Sequence, residues 1–176
     1  MSEFVTDVHA LRAAARQEML KGPVTAAYRA DLPRVLVLLN AALATETVCV
    51  LRYRQHHFAA TGLNAEPVAE EFLRHSEEEQ HHADLLAARI AQLGGTPDLD
   101  PMRVAERAHT TYVASTDLRE MIEENLVAER VAIAGYTEMI SWLGDGDPTT
   151  RRVLEEILAS EEEHAEDMLG FLGGGH

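Results

Sequence analysis

The sequence predicts an all-α fold: a four-helix bundle with one long crossover between its second and third long helices, preceded by a short N-terminal helix. Three observations predict it. Ala, Leu, Glu, Arg and Met are abundant, while aromatic residues make up only 5% of the 176 residues, a composition that favours helix. Apolar residues recur at i+3 and i+4, and no segment alternates as a strand does. Gly and Pro punctuate the chain so that two of the connections are short and one is long.

Residues 4–20 read as the short N-terminal helix, stopped by Gly22-Pro23. The first long helix spans 31–60. Pro33 fits its first turn, where no backbone N–H is needed, and Thr61-Gly62 ends it. The second spans 66–93, from Pro67 to Gly94-Gly95. The third spans 117–143, with Thr116 or Asp117 as N-cap and Gly144 as C-cap. The fourth spans 148–172, opened by Asp147-Pro148 and closed by Gly173. Short connections make the first and second helices, and the third and fourth, antiparallel neighbours. The segment from Gly94 to Thr116 is long enough to run the length of the bundle, and Pro101–Thr111 is a candidate short helix within it. The expected organisation is an N-terminal extension at 1–30, the bundle at 31–172 and a flexible tail at 173–176.

Charge and cysteine content exclude several classes. Fifteen basic against 30 acidic residues leave a net charge of −15, which suits cations and not DNA or an anionic membrane surface. The one cysteine, Cys49, excludes an internal disulfide framework and any CxxC metal site. No apolar run approaches the roughly 20 residues that span a bilayer. The N-terminus has no basic segment followed by an apolar one, so the expected compartment is the cytoplasm.

The helical stripes carry the chemistry. The four long helices place Val35, Leu39, Glu46, Cys49 and Tyr53; Phe72, Ser76, Glu79, His82 and Leu86; Ile122, Leu126, Glu129 and Tyr136; and Ile157, Glu161, His164 and Met168 on inward faces. Each stripe has a glutamate in its middle. A buried carboxylate takes a proton, a partner or a metal. Cationic partners are scarce, because Arg and Lys fall mostly off these faces. Two of the glutamates are followed by histidine at i+3, Glu79-x-x-His82 and Glu161-x-x-His164, so carboxylate and imidazole share a helix face. Four Glu and two His, on two Glu helices and two Glu-x-x-His helices, are the inventory of a di-iron or di-manganese site in a helix bundle. Spacing agrees: Glu79 is 33 residues after Glu46, and Glu161 is 32 after Glu129. The predicted metal ligands are Glu46, Glu79, His82, Glu129, Glu161 and His164. An overlapping Glu78-x-x-His81 match has polar neighbours, so Glu78, His81, Glu77 and His75 are assigned to the outer face, with Glu162 and Glu163. His56 and His57 are read as packing or surface histidines.

These residues resemble bacterioferritin and the wider ferritin-like superfamily over about 31–172. The Glu79–Asp84 segment looks like that family's helix motif Glu-x-x-His-Ala-Asp, and Glu161–His164 resembles its Glu-Glu-x-His. Tyr53, seven residues after Glu46, matches the tyrosine beside the family's ferroxidase centre. The resemblance implies that Glu46 and His82 hold one iron, Glu129 and His164 the other, and that Glu79 and Glu161 bridge them. Haem is not implied, because Gln80 stands where bacterioferritin has its haem methionine. The chain also lacks room for the family's fifth helix after His164. That departure, the candidate crossover helix and the N-terminal extension resemble Dps-like proteins with a bacterioferritin-type site. A shell of twelve subunits is therefore implied, with twenty-four as the alternative. The lysine-rich tail that serves DNA binding in Dps proteins has no match in the lysine-free first twenty residues.

The implied activity is ferroxidation of two Fe(II) per subunit by O₂ or H₂O₂, for iron storage or detoxification. Tyr53, and Tyr136 at the matching position after Glu129, are either participants or packing residues. The alternatives are a manganese catalase or a di-iron oxidase on the same site, and an acidic helical scaffold with no activity.

Overall fold

The structure is a computed structural model, which describes residues 7–63 and 65–173. It has six helices and no strand among those residues: α1 (Val8–Gln17), α2 (Leu32–Ala59), α3 (Ala65–Gln92), α4 (Val104–Arg107), α5 (Leu118–Leu143) and α6 (Pro148–Phe171). The all-helical bundle has the predicted order, and the four long helices match their expected bounds within a residue or so. The N-terminal helix is shorter than expected, and residues 4–6 of it lie outside the described residues, as do 174–176 of the expected tail. The candidate crossover helix is the single turn α4. No residue of α1 is buried, so it stands apart from the core.

Capping explains where the helices begin. Asp31, Asp117 and Asp147 accept hydrogen bonds from the backbone N–H groups of Arg34, Glu120 and Thr150, satisfying donors that no helical partner reaches. Asp117, not Thr116, is the cap of α5. At the end of α5, Gly144 adopts φ of 50°, a conformation that a side chain would strain.

The crossover sets the topology. Asp98 donates its backbone N–H to Asn40, and His109 donates its own to Thr45. Further along, Arg52 donates to the carbonyl of Thr111, and a His56 ring nitrogen bonds the carbonyl of Val113. The segment therefore climbs beside α2 from end to end. As a result α5 runs antiparallel to α2, and α3 antiparallel to α6.

Two apolar clusters fill the bundle. One holds Leu39, Leu43, Leu86, Ile90, Tyr136 and Ile157, among others. The other holds Cys49, Tyr53, Phe72, Met121, Ile122 and Met168, with Val68. The four central glutamates form a polar layer between the two clusters.

One expectation is corrected and another made sharper. Arg52 and Arg89 are buried, with 1% and 7% exposure, so cations in the interior are scarce, as expected, but not absent. Each is held by hydrogen bonds rather than by a carboxylate of the glutamate layer: Arg52 by Asn125, Thr110 and Thr111, and Arg89 by Asp147, Thr150 and Gln92. In addition, α2 is long and apolar enough, by length and composition, to cross a membrane. Its apolarity has a simpler cause: it is a core helix, more than half of that stretch is buried in the bundle, and Glu46 sits within it.

Candidate metal centre

All six predicted ligands converge in the polar layer. Glu46, Glu79, Glu129, Glu161 and His164 are at most 1% exposed, and His82 is 4% exposed. Their donor atoms form two groups, each with its atoms within 4.8 Å of one another. One is Glu46, Glu79, His82 and Glu161; the other is Glu79, Glu129, Glu161 and His164. Glu79 and Glu161 belong to both. The His82 Nδ1 lies 3.1 Å from Glu161, 3.3 Å from Glu79 and 3.5 Å from Glu46. The His164 Nδ1 lies 3.5 Å from Glu79 and 3.6 Å from Glu161.

These residues fit a pair of divalent metals. Glu46 Oε2, Glu79 Oε1, Glu129 Oε2, both carboxylate oxygens of Glu161 and the His164 Nδ1 are buried without a hydrogen-bond partner. Orphaned buried polar atoms are costly, and six in one layer point to a ligand that uses them. Four carboxylates with two neutral imidazoles also carry the charge that two divalent cations cancel. Carboxylate oxygens and imidazole nitrogens suit iron and manganese.

Without metal, protons make up the charge. Burial, then the charges of Glu79 and Glu161, push the Glu46 and Glu129 carboxyls well above the usual range. Burial raises the Glu79 carboxyl too, but the groups packed against it, Glu46, His164 and His82, outweigh burial and hold Glu79 well below that range. Burial alone would lower both histidines. The glutamates crowded around both rings override it, raising His82 to about 12 and His164 to about 11.

Both tyrosines belong to the site. Tyr53 donates to Glu129, and Tyr136 donates to Glu46. Burial, and then the neighbouring glutamate charge, raise both phenols well above their ordinary value.

The assignment of His75 to the outer face is wrong. It is fully buried, its Nδ1 lies 3.1 Å from the Tyr53 hydroxyl, and its ring stacks on His164 at 4.0 Å. At about 100° per residue, His75 lies roughly 40° around the helix from Glu79, closer than the roughly 60° of Ser76. That angle was the available signal. Glu78 is corrected in part: it lies at the rim, and its Oε2 is 2.8 Å from the His164 Nε2. His81, Glu77, Glu162 and Glu163 are exposed as expected. His56 is a packing histidine, bonded to Asn125 and Val113. His57 is half-buried, and its Nδ1 bonds the carbonyl of Ala69. Cys49 is buried and accepts a hydrogen bond from Arg52.

Both the sequence and the fold have known relatives. The chain is 32% identical over 139 residues to a nutrient stress-induced DNA-binding protein of Synechococcus sp., covering 76% of this chain and 78% of that one. It is 30% identical over 137 residues to a bacterioferritin of Rhodobacter capsulatus, covering 76% and 79%. Among solved structures, a dodecameric thioferritin, the bacterioferritin-related protein of Bacteroides fragilis, superposes with a TM-score of 0.78 at 32% identity, covering 92% of this chain and 93% of that one. The family profile of the ferritin-like domain matches residues 36–174, and the chain belongs to the ferritin-like family.

Proposed function

We propose that this protein is a ferroxidase that takes two Fe(II) per chain as substrate, oxidises them with O₂ or H₂O₂, and stores the product within a self-assembled shell. Family membership supports iron storage and ferroxidase chemistry in general. The observation that carries the finer reading is the pair of donor groups sharing Glu79 and Glu161, with six partnerless donor atoms between them.

Each residue then has a role. Glu46 and His82 hold one iron, Glu129 and His164 the other, and Glu79 and Glu161 are common to both. Each Fe(II) gives up one electron, so a pair supplies the two electrons that convert one H₂O₂ and two protons to two waters. Tyr136 and Tyr53 fix the terminal carboxylates Glu46 and Glu129 by hydrogen bonds, and Glu78 orients the His164 ring through its outer nitrogen, a support that metal-bound histidines commonly have. Binding must displace the protons that the layer holds, so loading releases acid. The protein operates in the cytoplasm without haem. The likeness to the dodecameric thioferritin supports a twelve-subunit shell over one of twenty-four.

Aerobic addition of Fe(II) to the purified apoprotein tests the reading, beside a Glu79→Ala, Glu161→Ala variant and a mass measurement of the assembly. The expected result is rapid oxidation of two irons per chain, absent in the variant, by particles of about twelve chains. Two metals bound without turnover, in a small oligomer, would replace it with a manganese catalase or di-iron oxidase. No stoichiometric metal would leave a scaffold.

A further inference from the structure

The metal centre is close to twofold symmetric, but its two ends are not. Around His164 the neighbouring positions are polar: Glu71, Arg74, His75 and Glu78 on α3, and Asp167 on α6. The equivalent positions around His82 are largely apolar. Ile157 stands four residues before Glu161 where His75 stands before Glu79, and Leu85 follows His82 where Asp167 follows His164. Tyr136 accordingly ends in the aliphatic cluster with Ile157. Tyr53 touches His75.

The polar end is organised around a cation. The Arg74 guanidinium pairs with Glu71, lies 2.9 Å from Glu78 and 2.6 Å from Asp167, and is half-exposed. Beneath it, the fully buried His75 turns its Nε2 outward, 3.3 Å from Glu71, 3.4 Å from Asp167 and 3.0 Å from Arg74. The donor atoms of Glu71, His75 and Asp167 lie within 4.8 Å of one another. So do those of His75, Glu78 and His164. Consecutive donor groups therefore share a residue, from the surface through His75 and His164 into the metal centre. The two carboxylates of the first group, Glu71 and Asp167, carry two negative charges, the charge of one divalent metal.

We propose that Glu71, His75 and Asp167 form a third divalent-cation site, distinct from the paired centre, in which Arg74 is a resident counter-ion that an arriving metal displaces. Its place makes it the step before or after the paired centre for a cation moving along the polar end. Of the reading above, it uses only that His164 is a metal ligand.

Anaerobic Co(II) titration of the full-length apo assembly, by equilibrium dialysis and visible absorption at about 0.15 M salt, tests the site. Co(II) reports binding without turnover. The wild type is expected to bind three equivalents per chain, and the Glu71→Gln, Asp167→Asn variant two. A Glu79→Gln, Glu161→Gln variant should keep the third equivalent and lose the other two, so failure of the paired centre and failure of the third site are read separately. Arg74→Gln should tighten the third equivalent about tenfold, because it removes the competing cation. A merely structural Arg74 would leave that affinity unchanged or weaken it. Two equivalents in the wild type, or a third that persists in Glu71→Gln, Asp167→Asn, would overturn the proposal. Circular dichroism on each variant establishes that it is folded.

Discussion

Tyr53 on α2 donates its hydroxyl hydrogen bond across the bundle to Glu129 on α5. Seven residues after Glu129, Tyr136 returns the same contact to Glu46, seven residues before Tyr53. The antiparallel α2–α5 pair is thus cross-braced at both ends of the glutamate layer, and each tyrosine holds the central carboxylate of the opposite helix. Neither contact lies within one helix, so each depends on the register that the crossover imposes.

Removing either brace should therefore weaken metal binding more than it weakens the fold. Tyr53→Phe and Tyr136→Phe are each expected to lower the Co(II) affinity of the paired centre about tenfold, the usual scale for loss of a group that orients a metal ligand. The same titration measures it, with thermal melting as the control for folding. Unchanged affinity in both variants would reduce the tyrosines to packing residues.

The layer is a burden to the apoprotein, since buried carboxylates without partners oppose folding. Glu161→Gln removes one of them, from the residue with both oxygens unpartnered. The rise in melting temperature on adding Co(II) should nearly vanish in this variant. In the wild type that rise should be large, because a ligand at a hundredfold excess over Kd stabilises by about 2.7 kcal/mol per site. Scanning calorimetry with and without metal measures the rise in each protein.

The same layer sets a pH dependence. In the folded apoprotein His82 and His164 are raised from 6.5 to about 12 and about 11. A raised folded value means that the folded state binds protons more tightly than the unfolded chain. That stabilisation is complete below about pH 6.5 and is lost progressively as pH climbs toward the folded values. The raised carboxyls of Glu46 and Glu129 act in the same direction. The apo melting temperature should accordingly fall from pH 6 to pH 9. The metal-loaded protein should not follow it, since the metal needs those groups deprotonated. Parallel curves for the two forms would contradict this assignment of the protons.

The helices and the convergence of the six candidate ligands were legible because they obey one-dimensional rules. Glu46, Glu79, Glu129 and Glu161 interrupt apolar stripes of fixed period, and the two histidines follow at i+3. His75 was missed because His, Glu and Arg crowd 74–78, and a polar neighbourhood reads as solvent-facing even where its angle to Glu79 does not. Arg52 and Arg89 were missed for a different reason. Each is buried only because distant residues satisfy it: Asn125 and Thr111 for the first, Asp147 and Thr150 for the second. No pattern local to α2 or α3 contains those partners.

Arg89 yields the last prediction. Its guanidinium is held by both oxygens of Asp147, at 2.8 and 3.0 Å, and by the Thr150 hydroxyl. Asp147 also accepts from the Thr150 backbone and from Tyr28, so one carboxylate caps α6 and ties the segment before α2 to it. Arg89→Ala leaves that carboxylate buried and short of its counter-charge, which costs about 3–5 kcal/mol for a buried pair broken from one side. The substitution should lower the melting temperature sharply. Because the cluster lies beyond the aliphatic layer from the metal centre, the Co(II) stoichiometry of the chains that remain folded should not change. Denaturant unfolding measures the loss, and the titration at low temperature measures the stoichiometry. A drop in bound metal without a drop in stability would place Arg89 in the site and not in the scaffold.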